Sequence, residues 1–212
     1  MIYKTYIKRP LDFCLALIGS LVAVPFALII AILIKLDSAG TILFRQQRLG
    51  QHGREFTFYK FRTMEMNAEH RGNGVYCVTD DPRMTRVGKI LRNASLDEIP
   101  QLINILKGDM SFVGMRPPLT YHPCKIDEYT PKQKKVFEQR PGITGWAQIN
   151  GRNAVQWNDR INFNLWYNAH VSFLLDVKII FRTIPDVLRG KDVIIQANTV
   201  ADFTGMAKAS DQ

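Results

Sequence analysis

Asp97 and Glu98 are adjacent carboxylates in the run LRNASLDEIPQLINILKG, with Arg83, Arg86, Lys89 and Arg92 before them and Arg116 after. Two neighbouring carboxylates among many cations suit a divalent metal together with a polyanionic, phosphate-bearing substrate. Acidic first turns are also common in ordinary helices. Taken alone, the pair therefore admits a second reading, a well-capped helix with no chemistry.

The element expected to position the pair is that helix. Ser95 is the expected N-cap, Glu98 completes a capping box with it, and Pro100 falls in the first turn, where its missing N–H does little harm. Ile99, Leu102, Ile103 and Leu106 recur at helical spacing and predict one apolar face. Gly108 predicts the stop. On this reading Asp97 and Glu98 sit at the positive end of the helix dipole, which favours ionised carboxylates.

Lysine and arginine outnumber aspartate and glutamate by 28 to 19 over 212 residues, a formal net charge of +9. The excess points to an anionic partner, whether nucleic acid, an acidic membrane surface or a phosphorylated substrate. The length suits one domain with a real core and room for an appendage. Cys14, Cys77 and Cys124 are odd in number and scattered, so a reducing compartment is expected. His52, His70, His122 and His170 lack ligand spacing and read as surface or packing residues.

Phe13 to Ile34 runs for 22 residues without a charge. As a straight helix it would reach ~33 Å, enough to cross a bilayer. The run is too long for a signal peptide and no small-x-small cleavage site follows it. A chain this small would struggle to bury every face of such a helix, so membrane insertion is expected. Pro25 removes one backbone hydrogen bond and predicts a kink, with Ser20 near enough to satisfy freed groups. Lys4, Lys8 and Arg9 flank one end and Lys35, Arg45, Arg48 and Arg54 the other. Two basic flanks suit a helix that enters and returns to the same face, whereas length favours spanning. The residues leave both open.

Ile42 and Phe44, then Phe56 and Phe58, alternate around RLGQHGRE and predict a hairpin. Lys60 and Arg62 extend its second strand, facing away from Phe61. Residues 67–84 read as a mobile polar loop, and RMTRVGKILRNA as a short basic helix or strand. YTPKQKKVFEQR predicts a helix capped by Thr130 with Pro131 at its start. The glycine-rich residues 140–153 read as a loop, weak evidence for anion binding. From Trp157 onward the pattern is helical. Trp157, Trp166 and Tyr167 are aromatics of the kind that settle at a membrane interface. Leu174 to Lys191 suits an in-plane amphipathic helix, or equally one packed on a soluble core. The whole reads as an α+β fold, mostly helical, with a membrane helix over 1–36, a domain over 37–195 and a polar tail over 196–212.

Four separated blocks, KRPLDFCLALIGSLVAVPF, FRQQRLGQHGREFTFYKFRTM, DDPRMTRVGKILRNASLDEIPQLINILKGDMSFVGMRPP and RPGITGWAQINGRN, resemble in their shared order the bacterial sugar transferase family of monotopic polyprenyl-phosphate phosphoglycosyl transferases. The likeness covers about residues 8–190 and makes the chain look like a minimal form without extra spanning helices. It implies transfer of a phosphosugar from a UDP-sugar to polyprenyl phosphate, giving polyprenyl-diphosphate-sugar and UMP, the first membrane step of bacterial glycoconjugate assembly. It implies Mg²⁺ at Asp97 and Glu98, with Asp97 as the nucleophile that forms an aspartyl phosphosugar. Arg92, Arg116 and Arg152 are implied phosphate binders, with Lys60 and Arg62 as secondary candidates. It further implies a re-entrant helix broken at Pro25 near Ser20, both ends cytoplasmic, at the inner face of the bacterial plasma membrane. Met115 stands where the family has proline, which predicts a less rigid loop before Arg116.

The physics agrees with this chemistry. A carboxylate attacking a phosphate faces like-charge repulsion, which a cation and neighbouring arginines lower. A membrane-tethered nucleic-acid binder is a poorer reading, because no aromatic-interleaved basic face or groove-entering helix is evident. A non-catalytic scaffold of a glycan assembly complex would share the anchor but has no use for the carboxylates. Apolar surface could face lipid or a second copy of the chain, so a homo-oligomer stays open. The residues name no sugar.

Overall fold

The computed structural model describes residues 2–72, 74, 75, 77, 78, 80–151 and 157–188. Helix α1 (Lys8–Asp37) follows a short π-helical turn, Tyr3–Ile7. It is long and apolar enough to cross a membrane. Its helical backbone continues through Pro25, and the hydroxyl of Ser20 is buried without a hydrogen-bond partner. The expected break at Pro25 is thus not a break in the helix. Only one stripe is covered, with Lys8, Asp12, Ala16, Ile30 and Ile34 buried at helical spacing against the rest of the chain. Outside that stripe Ile18, Leu21, Val22, Phe26, Leu28 and Ile32 stand exposed.

Strands β1 (Leu43–Leu49) and β2 (Glu55–Phe61) form the expected antiparallel hairpin, with Phe44 opposite Lys60 and Gln46 opposite Phe58. A tight turn joins them, with Gly53 at φ 73°. A two-stranded sheet leaves backbone groups unpaired at its edges. Here helix α3 (Gln101–Lys107) serves one of them. The Asn104 amide donates to Thr57 O at 2.7 Å and its Oδ1 accepts from Tyr59 N at 3.1 Å.

Helix α2 (Arg86–Asn93) lies between hairpin and α3. Its N-cap Thr85 accepts from Gly88 N, and the Asp37 carboxylate at the end of α1 accepts from Val87 N at 2.9 Å. Gly88 is required there, since a Cβ would stand 2.0 Å from Thr63 O. The described residues between 67 and 84 are held by more contacts than a free loop would have. Buried Arg83 pairs with Asp81 and donates to the carbonyls of Ala68, Arg71 and Gly74.

The glycine-rich segment is not the loop expected. Strand β3 (Ser111–Val113) pairs in parallel with β4 (Gly142–Thr144), the connection passing through the short helix α4 (Pro131–Lys134). α4 has its Thr130–Gln133 capping box. Helix α5 (Trp146–Ile149) follows β4 directly. The glycines allow backbones to touch: a Cβ on Gly145 would lie 1.9 Å from Gly114 O.

Helices α6 (Trp157–His170) and α7 (Phe173–Leu188) complete the domain. The aromatic expectation is corrected here. Tyr167 is core, buried beside Val113, Ile149 and Ile179, and Trp157 packs on Tyr129. Trp166 is half exposed and stacks between Trp146 and His170. Exposed apolar residues of α7 include Phe173, Leu174, Phe181 and Ile184. The tail over 196–212 and Arg152 lie outside the described residues.

Candidate active site

The carboxylate pair is not in a capped α-helix. Ser95 adopts a left-handed backbone (φ 55°, ψ 17°) and caps nothing; Leu96–Glu98 is one 3₁₀ turn, and α3 begins only at Gln101. Glu98 therefore has no capping role and its carboxylate is available elsewhere. The apolar face also differs: Gln101, Asn104 and Ile105 are buried while Ile103 is exposed. Arg9 of α1 donates to Ile105 O at 2.6 Å and Leu106 O at 3.0 Å, serving carbonyls at the C-terminal end. Gly108 ends α3 as expected, at φ 92°.

Because Asn104 fixes α3 on β2, Lys60 of β2 is brought to the carboxylates. Its Nζ lies 3.3 Å from Asp97 Oδ2 and 2.9 Å from Glu98 Oε1. Arg116, following β3, donates from Nη2 to the same Glu98 Oε1 at 2.8 Å. Burial would push the Glu98 carboxyl up, but the charges and hydrogen bonds of Arg116 and Lys60 outweigh it and hold Glu98 well below the usual carboxylate range. These two cations, rather than a helix dipole, keep it ionised. Glu98 in turn raises Arg116.

Met115 does not loosen its segment. Its side chain is buried with Leu49, Tyr129, Val136, Phe137 and Ile161. Arg48 of β1 donates to Pro117 O at 2.7 Å, and Leu49 N to Pro118 O at 3.0 Å. Arg116 thus projects from a stretch fixed on both sides.

The pair opens on a cleft of about 1450 Å³ lined also by Lys60, Arg62, Arg92 and Arg116. The predicted cations do not all do the same thing. Arg62 ties down the end of α1, donating to the carbonyls of Ser38 (2.8 Å) and Ala39. Arg92 lies against the Cys77 thiol, and its Nη1 is buried without a partner. Two cations escaped the sequence reading. Burial first, and then repulsion from Arg116, lowers Arg48 to about 9. The same two causes lower Arg160 of α6. Arg48 carries the strand alternation expected of β1, and Arg160 falls on a helix read only for its aromatics. Arg160 lies in none of the family-like blocks, and Arg48 lies in FRQQRLGQHGREFTFYKFRTM without being singled out there.

Among the described residues no cluster of three or more metal-ligating side chains occurs. The pair itself suits a hard cation. No protein donor reaches Asp97 Oδ1 or Glu98 Oε2 among the hydrogen bonds of the described residues. Magnesium commonly takes one or two carboxylates and completes its shell with substrate phosphates and water.

A family model described as bacterial sugar transferase matches residues 3–190. The uncharacterized sugar transferase EpsL of Bacillus subtilis is 42% identical over 178 residues, covering 84% of this chain and 85% of the relative. The exopolysaccharide production protein ExoY of Sinorhizobium fredii is 36% identical, covering 85% and 84%. The UDP-N-acetylgalactosamine-undecaprenyl-phosphate N-acetylgalactosaminephosphotransferase of Aeromonas hydrophila is 40% identical over 87% of this chain, which spans 44% of that longer protein. With the match running from before α1 to the end of α7, the chain belongs to the bacterial sugar transferase family.

Proposed function

We propose that this chain transfers a phosphosugar from a UDP-sugar to undecaprenyl phosphate, or a similar polyprenyl phosphate, and releases UMP. The observation that carries the reading is the arrangement at one cleft wall. Lys60 and Arg116 converge on Glu98 while Asp97, beside it, keeps one carboxylate oxygen open. An Asp97 oxygen attacks the β-phosphorus of the donor, and the bond from that phosphorus to the bridging oxygen breaks, releasing UMP. An oxygen of the lipid phosphate then attacks the same phosphorus, the bond to Asp97 breaks, and the carboxylate is restored. Glu98, held ionised, shares with Asp97 the binding of Mg²⁺, which when bound supplies neutralising charge to the diphosphate. Lys60, Arg116, Arg48 and Arg92 add fixed positive charge around the transferred group. Relatives named as undecaprenyl-phosphate phosphotransferases support the acceptor and the reaction class.

The packing of α1 supports a monotopic arrangement, and a nucleotide-sugar donor suits the cytoplasmic face. Near its start Lys8 pairs with Asp176 of α7, and at its end Asp37 caps α2. A 30-residue helix spans ~45 Å when straight, so a bilayer crossing would carry one end away from the domain. Both ends rest on it, which suits a helix whose exposed apolar side enters one leaflet while both ends stay on the domain's side. The deciding experiment incubates purified protein, undecaprenyl phosphate and Mg²⁺ with a panel of UDP-sugars, measuring UMP and UDP separately. UMP from one donor, lost in Asp97→Asn, is expected. Release of UDP instead would mean ordinary glycosyl transfer and would sink the carboxylate mechanism. A labelled Asp97 peptide after acid quench with donor alone tests the covalent step.

A further inference from the structure

The cleft has a second wall that the phosphate chemistry does not use. Gln148 of α5 and Asn164 of α6 both line it. Neither the amide nitrogen nor the oxygen of Gln148 has a hydrogen-bond partner, and Asn164 Oδ1 has none either. Asn164 is only 7% exposed. Buried amides are nearly always paired, so three unmet amide atoms on two touching helices that line one cleft ask for an occupant. Their neighbours do not supply it. The hydroxyls of Thr144 and Thr183 bond each other at 2.6 Å, and Thr183 also donates to Ile179 O.

The wall also has a chemical order. Arg160 and Asn164 stand one turn apart on α6, about 6 Å. Arg160 lies close enough to Arg116 to feel its charge, and Arg116 holds Glu98. The sequence of groups away from the carboxylates therefore runs from cation to neutral amide. A ligand that matches it carries negative charge at one end and an uncharged hydrogen-bonding group next to it. A primary amide presents one donor beside one acceptor, and its complement is another N–H beside a C=O.

We propose that Gln148 and Asn164 form the subsite for the uncharged, amide-like end of the nucleotide-sugar. This rests on the phosphosugar-transfer reading and deepens it. Two parts of such a donor carry that chemistry, the imide edge of uracil and the acetamido group of an N-acetylated sugar. Both variants that remove the amide, Gln148→Met and Asn164→Leu, keep the side-chain bulk and take away a buried polar group with no partner. The folded state therefore keeps or gains thermal stability in each, while ligand affinity falls.

Binding is measured calorimetrically in detergent on the intact chain carrying Asp97→Asn, which stops turnover. The probes are UMP, UDP-glucose and UDP-N-acetylglucosamine. Either variant is expected to weaken at least one probe by about 10- to 100-fold, the worth of one or two neutral hydrogen bonds. Equal weakening of all three assigns the subsite to uracil. Weakening of UDP-N-acetylglucosamine alone assigns it to the sugar. Unchanged affinities in both variants, with the parent binding normally, overturn this subsite and leave the transfer reading standing. A lowered melting temperature in both variants also overturns it, by giving the amides a structural role. A parent that binds none of the probes overturns the transfer reading and the subsite together.

Discussion

Among the described residues the molecule buries two groups of carboxylates, each with a lysine, and only one of the two faces the cleft. At the first, Asp97 and Glu98 share Lys60, and Arg116 adds a second cation. At the second, Asp176 of α7 meets Lys8 of α1, with Asp12 buried nearby in the same helix. The difference lies in how the oxygens are used. Asp176 Oδ2 accepts from Lys8 and from Tyr3 at 2.7 Å, and Oδ1 accepts from Tyr167 at 2.6 Å. Both oxygens are engaged, and the carboxylate is sealed. At the first site all three polar contacts fall on one oxygen of each residue, leaving the others open to the cleft. The same residue types thus make a clamp in one place and, on the proposed mechanism, a reagent in the other. Acceptor capacity left open, more than the number of carboxylates, separates them.

The largest effect that could break this contrast is at Asp97, the proposed nucleophile. Asp97→Asn should lower UMP release by at least about a thousandfold, as loss of a reacting group does, with a melting temperature close to the parent's. A variant that keeps even a tenth of the activity would place the attacking group elsewhere. Next is the clamp. Asp176→Asn leaves Lys8 buried and charged without its counter-ion and should cost about 3–5 kcal/mol of stability. Thermal denaturation in detergent measures it. The protein that remains folded should turn over within a few-fold of the parent, because Asp176 is not a cleft residue. Activity lost at full stability would dissolve the distinction between clamp and reagent.

Much of this was legible in the chain. Alternation marked the hairpin, and Gly108 marked the end of α3 because only a residue free to take positive φ closes it cheaply. The acidic pair among cations marked the candidate site. The partners that position it were not legible. Asn104 works by reaching the backbone of β2, a tertiary fact with no local signature. Ser95 and Glu98 match a capping box in sequence, but Lys60 and Arg116 compete for the glutamate and the helix starts later. Arg62 was a secondary phosphate-binding candidate through the resemblance of its KFRTM block; one residue past β2, its guanidinium reaches the carbonyls at the end of α1, a contact the motif does not show. Glycines 142 and 145 read as loop because a three-residue parallel strand is too short to show a period; their use is close backbone contact.

The electrostatic side of the contrast has its own test. Glu98 is held below its ordinary value of 4.5 in the folded chain. Its contribution to stability is therefore complete above that value and is lost as pH falls through the folded one. Arg116→Met removes one of the two cations responsible. The stability gap between parent and variant should be full at neutral pH and should close as the solution is acidified below about 4.5. Melting curves between neutral pH and pH 3 would show it. A gap that stays constant with pH would mean that Arg116 acts through packing alone.

The smallest effect probes the clamp one donor at a time. Tyr3→Phe removes the phenol that shares Asp176 Oδ2 with Lys8, while Lys8 and Tyr167 still engage the carboxylate. The ring also keeps its edge-on contact with Phe173. Losing one of several hydrogen bonds to a charged acceptor, with the apolar contact retained, should cost about 1 kcal/mol. In a chain of this size that is a fall in melting temperature of roughly 2–4 °C. UMP release should not change, because Tyr3 lies on the sealed side of the molecule. If Tyr3→Phe slowed turnover at unchanged stability, the docking of α1 on α7 would be coupled to the cleft, and the two carboxylate groups would be parts of one device.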